Sequence, residues 1–160
     1  MGLDVNTPRG QQSVADEQLA AILFTGKFAG YSYLQTPKKK AADVDAILTL
    51  DNEMRQVVET KCRYDCDLDK FLGAYGGQWL VTYDKIVRSM AVAKALKVGL
   101  MGFVYLVPSK TLLVQRITDA AGNFLVPFEV RMTQTKATTN GGLATRANAF
   151  VDMTNAMVIA

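Results

Sequence analysis

Apolar and polar positions along this chain repeat with two different periods, and the changes of period mark its elements. Leu19, Ile22, Leu23 and Phe24 recur at helical spacing behind Ser13 as an N-cap, with Asp16 and Glu17 expected in the first turn. That predicts a helix from about Val14 to Lys27, preceded by a polar arm over residues 1–12. Tyr31 to Gln35 is aromatic and extended in character, and Pro37 leads into a basic loop of Lys38, Lys39 and Lys40. Alternating stretches from Val44 to Leu50 and from Met54 to Cys62 read as strands, separated by Asp51-Asn52-Glu53. A short helix is expected around Leu68 to Ala74. The next helical pattern runs from Asp84 to Lys97, its apolar face carried by Ile86, Val87, Met90, Ala93, Ala95 and Leu96. Strands follow at Leu100–Val107 and Thr111–Thr118, joined at Pro108-Ser109, and again at Phe124–Thr133 beyond a turn at 119–123. Small polar residues dominate from Thr135 to Asn148, before the chain turns apolar towards Ala160.

No repeat or linker interrupts this order, and 160 residues suit one domain with a proper core. The division expected is an arm at 1–12, a core at 14–118 and a C-terminal extension at 119–160. Helix, strands, helix, strands on a mixed sheet is an α/β arrangement bordering on α+β.

Composition narrows the chemistry. Hydrophobic residues are 49% and charged residues 21%, an ordinary globular balance, and 18 basic against 15 acidic residues leave a formal charge of +3. Such mild basicity is compatible with a nucleic-acid partner without arguing for one. The N-terminus has no signal-peptide core, and the longest apolar run, Val98 to Val107, is about half the length of a membrane-spanning helix. A soluble cytoplasmic protein is therefore expected. Cys62 and Cys66 are too few for a tetrahedral zinc site and read as reduced thiols. The chain has no histidine. Histidine-based nucleophilic catalysis and general-base chemistry are thereby excluded, leaving carboxylates, lysine, tyrosine or a bound metal.

The informative segment pairs Asp43-Val44-Asp45 with Glu59-Thr60-Lys61. Side chains alternate along a strand, so Glu59 and Lys61 share one face while Val58, Thr60 and Cys62 take the other. With a three-residue loop at Asp51-Asn52-Glu53, Asp45 falls across from Glu59, with Cβ atoms roughly 5 Å apart, and Lys61 falls across from Asp43. A two-residue loop would shift the pairing by one and send Asp45 and Glu59 to opposite faces. Two facing carboxylates repel unless a cation lies between them, and a hard divalent ion such as magnesium suits such oxygens. A metal there would activate water and stabilise charge in phosphodiester cleavage, with Lys61 beside the attacking water.

Asp45 followed after thirteen residues by Glu59-Thr60-Lys61 resembles the signature of the PD-(D/E)XK nuclease superfamily. The leading helix, motif-bearing hairpin, following helix and further strands resemble its αβββαβ core over about Val14 to Thr118. The resemblance implies a restriction-endonuclease-like or Holliday-junction-resolvase-like DNA nuclease, dependent on Mg2+ with Mn2+ substituting. It implies metal ligands in Asp45, Glu59 and the Thr60 backbone carbonyl, and a further acidic residue on the first helix, Glu17 or alternatively Asp16. Val44 stands where the family often has proline. Its additional helix residue, often glutamine or lysine, has two candidates in Gln78 and Lys85.

Other residues have a candidate role beside a simpler one. Lys38, Lys39, Lys40, Arg63, Gln78, Lys85 and Arg88 are candidate DNA contacts, or solvated charges. Tyr31, Tyr33, Tyr75 and Trp79 are candidate stacking platforms, or packing. A structure-selective nuclease, acting alone or as a homodimer, stands against a non-catalytic nucleic-acid-binding or structural protein of the same fold. A small binding protein with a chance motif follows if the hairpin register is off by one.

Overall fold

A computed structural model describes residues 8–37, 43–134 and 145–160. Two sheets organise the described residues. The larger has six strands in the order β1 (Tyr31–Gln35), β2 (Ala46–Leu50), β3 (Glu53–Arg63), β5 (Gly99–Leu106), β6 (Thr111–Arg116) and β9 (Met157–Ile159). The smaller is β4 (Gln78–Thr82), β8 (Thr145–Asp152) and β7 (Phe128–Gln134). Among the described residues every strand pairing is antiparallel except β3 with β5. The parallel pair is joined by a crossover that contains α2 (Leu68–Leu72), β4 and α3 (Tyr83–Ala95). The protein is thus mixed α/β with a mixed central sheet. Residues 119–160 supply β9 to the main sheet and two of the three strands of the smaller one.

The β2–β3 hairpin decides whether Asp45 and Glu59 meet. Its turn has two residues rather than the expected three: Asp51 and Asn52 both take left-handed backbone angles (φ 52° and 64°), the geometry of a type I′ turn. Leu50 accordingly faces Glu53, and Thr49 faces Met54. A β-bulge then inserts Arg55 between Met54 and Gln56, so Leu48 faces Gln56, Ile47 faces Val57 and Ala46 faces Val58. The register expected near the motif is present, but a short turn and a bulge produce it together. The ladder stops at Ala46, so the expected pairing of Lys61 with Asp43 does not form.

Helix α1 spans Pro8–Lys27, six residues earlier than expected. Proline is well tolerated in a first turn, where its missing N–H would have no helical partner, so Pro8 opens the helix instead of marking a loose arm. Ser13 therefore lies inside the helix, and Asp16 and Glu17 lie mid-helix and buried. The face packed on the sheet is Ala20 and Phe24, joined by Leu23, while Leu19 and Ile22 point to solvent. This side holds Val58, Phe103, Tyr105, Leu112 and Ile159.

On the opposite side, α3 and the smaller sheet cover Val57, Leu100, Val104 and Leu113. Helix α3 presents Ile86, Ser89 and Ala93 inward, at spacings of three and four, and leaves Val87 exposed. Gly102 of β5 lies beneath Trp79: a Cβ there would come within 2.7 Å of Trp79 Cζ3. Glycine at this position thus leaves room for the Trp79 ring over β5.

Candidate active site at the end of β2 and β3

Asp45 stands one residue before β2, its amide donating to the Val58 carbonyl at 3.0 Å. Its carboxylate Oδ2 accepts the Thr60 amide at 2.8 Å. The side chain is thereby fixed at the level of Glu59, beyond the last ladder pair. Glu59 points towards α3 and is only 4% exposed. Ser89 Oγ lies 2.7 Å from Glu59 Oε1 and within 3.0 Å of the Asp43 and Lys85 carbonyls, so its single proton serves one of three acceptors at a time. Lys85 Nζ approaches Glu59 Oε2 at 3.6 Å.

Burial pushes the Glu59 carboxyl up to about 9, and repulsion from Asp45 adds to the rise; the Lys85 ammonium and the Ser89 hydrogen bond oppose it. The balance favours the protonated form of Glu59 near neutral pH even with Lys85 beside it. Two carboxylates held together at that cost form a donor set suited to a hard divalent ion that keeps part of its water shell. Among the described residues no group of three or more His, Cys, Asp and Glu side chains converges. Further ligands would have to be backbone carbonyls, waters or a substrate phosphate. Strand alternation turns the Thr60 carbonyl to the same edge as that of Val58, at the side where β2 has ended, so it fits this requirement.

Lys61 lies two residues beyond Glu59, on the same face of β3, and is exposed. Asp43 lies against α3 instead, where Arg88 Nη1 approaches it at 3.7 Å and Arg88 Nη2 holds Asp84 at 3.1 Å.

Glu17 lies across the sheet from Glu59, under α1. The Tyr33 hydroxyl donates to Glu17 Oε1 at 2.6 Å and lies 3.1 Å from Thr60 Oγ1, linking Glu17 to the strand that holds the site. Burial and the Glu17 charge push the Tyr33 phenol far above its usual range. Asp16 accepts from Gln12 Nε2 at 3.1 Å and also engages the Tyr64 hydroxyl. Cys62 lies beside both acids; burial and their charges push its thiol up to about 12, which disfavours the thiolate, and both cysteines are free.

Of the two helix candidates, Lys85 reaches the site while Gln78 opens β4 and accepts from Arg131 Nη2 at 3.4 Å. Arg63 lies over the Tyr75 ring at 5.2 Å and shares that ring with Lys70, so packing engages it. Tyr31 meets Phe24 edge-on, Tyr33 stacks on Phe103 and Trp79 is buried on Gly102, so these three are packing residues. Lys38, Lys39 and Lys40, together with Thr138, Thr139 and Asn140-Gly141-Gly142, lie outside the described residues. Sequence pattern missed Ser89 and the link through Tyr33. A serine at a core position of α3, three residues after Ile86 and four before Ala93, was the available signal for a buried partner.

No protein-family model, curated protein or solved structure matches this chain. No described helix is long and apolar enough to cross a membrane.

Proposed function

We propose that this protein is a divalent-metal-dependent nuclease of the PD-(D/E)XK type, acting on DNA phosphodiesters. The observation that carries this reading is the placement of Asp45, fixed by the Thr60 amide, beside the buried carboxyl of Glu59, on the strand that also bears Lys61. The order α1, β1, β2, β3, α3, β5, with α2 and β4 inserted between β3 and α3 and with β3 and β5 parallel, is compatible with an αβββαβ core. Asp45, Glu59 and the Thr60 carbonyl would hold Mg2+ or Mn2+, which when bound supplies Lewis-acid polarisation and an acidified water. Ser89 and Lys85 orient Glu59, the Thr60 amide orients Asp45, and Lys61 supplies positive charge next to the reacting phosphate. The absence of histidine is no obstacle, since none of these roles needs an imidazole.

The opposing reading, a nucleic-acid-binding protein without catalysis, draws on the Lys85–Glu59 contact, which places a cation where the metal reading needs an anion free to coordinate. A cleavage assay separates the two. Supercoiled, linear, single-stranded and four-way-junction DNA would be incubated with Mg2+, Mn2+ or EDTA, using wild type and Lys61→Ala. Metal-dependent cutting that falls by at least about 100-fold in the variant is expected. Binding without cutting by both proteins on every substrate would establish the non-catalytic reading instead.

A further inference from the structure

We propose that the outer edge of β7 pairs with the same strand of a second copy of this chain, antiparallel about a two-fold axis at Val130. This stands apart from the proposed activity and holds or fails without it.

Strand β7 ends the smaller sheet: its only ladder among the described residues is with β8, so one row of backbone N–H and C=O groups faces outward. Val130 is 41% exposed and Met132 65% exposed, although both alternate onto the face that buries Trp79 and Val151 nearer the core. Val130 and Met132 therefore form an apolar strip running past the edge of the body.

Charge selects the occupant and the register. Glu129 and Arg131 share the other face, 3.5 Å apart, and both are exposed. Pairing about Val130 sets Glu129 opposite Arg131 of the second copy and Arg131 opposite its Glu129. Four charges then alternate in sign around a square, while Phe128 faces Met132 and Val130 faces itself. Centring the axis on Glu129 would oppose two glutamates, and centring it on Arg131 would oppose two arginines. A parallel pair in register would oppose like charges at both positions. Only the Val130 axis satisfies both charges within this seven-residue strand. The other sheet edges lack this property: β1 and β4 carry no charged residue, and β9 has three residues and no charge.

A single strand pair buries little against the roughly 1,200–2,000 Å² of a stable interface, so a dimer with a dissociation constant of about 10–100 μM is expected. Sedimentation velocity on the full chain, from about 5 to about 500 μM, reads it directly. Glu129→Arg and Arg131→Glu should each weaken association by at least about 10-fold through two like-charge pairs. Mixed together, the two variants should form a heterodimer, because every arginine then meets a glutamate, and the double variant should regain wild-type association. Arg131 also lies over the Phe150 ring, so Arg131→Glu carries a risk of misfolding; Met132→Lys then serves as an independent probe and should also weaken the dimer. The proposal is overturned by a wild type that stays monomeric over the whole range. It is equally overturned by dimerisation that Glu129→Arg and Met132→Lys leave unchanged, or by folded charge variants that fail to complement each other.

Discussion

The two faces of β3 each bury carboxylates, and they treat them in opposite ways. Towards α1, Glu17 receives the Tyr33 hydroxyl, and Asp16 receives Gln12 and Tyr64. Towards α3, Glu59 meets a second carboxylate and only partial relief from Ser89 and Lys85. The first arrangement resembles any well-satisfied buried polar network, in which neutral donors offset the cost of desolvation. The second sets another carboxyl beside a buried one, an arrangement that disfavours ionising both and that a fold tolerates where a ligand offsets the cost. Buried acids alone thus do not locate a site; the sign of what surrounds them does. Asp45 and Glu59 carry the stronger case for metal binding, and the acids of α1 read as structural support for the strand.

The largest effect that could break this contrast is on the α3 side. Asp45→Asn and Glu59→Gln should each abolish metal-dependent cutting, by about 100-fold or more, and remove the rise in melting temperature caused by Mg2+. In wild type, Mg2+ at about 100 times its dissociation constant would add about 2.7 kcal/mol, or roughly 5–10 °C for a chain of this size. A Mg2+ shift that survives in both variants, measured by differential scanning fluorimetry, would place the metal elsewhere.

The next effect is the pH dependence of the metal-free protein. Glu59 titrates at about 9 when folded, against 4.5 for the unperturbed group. Below about 4.5 both folded and unfolded chains hold the proton and the contribution to stability is complete. Between 4.5 and 9 the unfolded chain ionises while the folded one does not, so stability falls with rising pH, by at most about 1.4 kcal/mol per unit from this group. Glu59→Gln should flatten that slope and melt above wild type at pH 8. The Mg2+ shift should in turn be larger at pH 8 than at pH 6, because the cation binds the ionised carboxylate. Urea unfolding across this range checks both, and a wild-type slope equal to that of the variant would show Glu59 already ionised.

Much of this site was legible because its signals are local. Alternation in Val57-Val58-Glu59-Thr60-Lys61 places Glu59 and Lys61 on one face of any strand, whatever the fold around it. The hairpin register was reached through a compensating pair of differences, since a two-residue turn alone would have separated Asp45 from Glu59. Asp51-Asn52 without glycine is a weak type I′ signal, and nothing in Met54-Arg55-Gln56 marks a bulge. Strands β4 and β8 were not foreseen, because Gln78–Thr82 continues directly into a helix and Thr145–Asn148 is polar with small residues. Their burial depends on Trp79 finding Gly102, a contact between distant parts of the chain. Helix α1 misled for a similar reason: its apolar residues Leu19 and Ile22 face solvent, while two of its acids face the sheet and are satisfied by tyrosines on β1 and beyond β3.

The smallest effect tests the α1 side. Tyr33→Phe keeps the ring that stacks on Phe103 and removes only the hydroxyl that serves Glu17 and lies beside Thr60. Leaving a buried carboxylate without that donor should cost about 1–3 kcal/mol, a fall of roughly 2–12 °C in melting temperature. Because the hydroxyl lies across the sheet from Glu59, the Mg2+-induced shift of the variant should stay close to that of wild type. Loss of that shift in a folded Tyr33→Phe protein would mean that the two faces act as one site through Thr60, with Glu17 contributing to the metal environment. A stable variant with an unchanged shift would instead make the α1 network dispensable, and would remove the reason for treating its buried acids as structural.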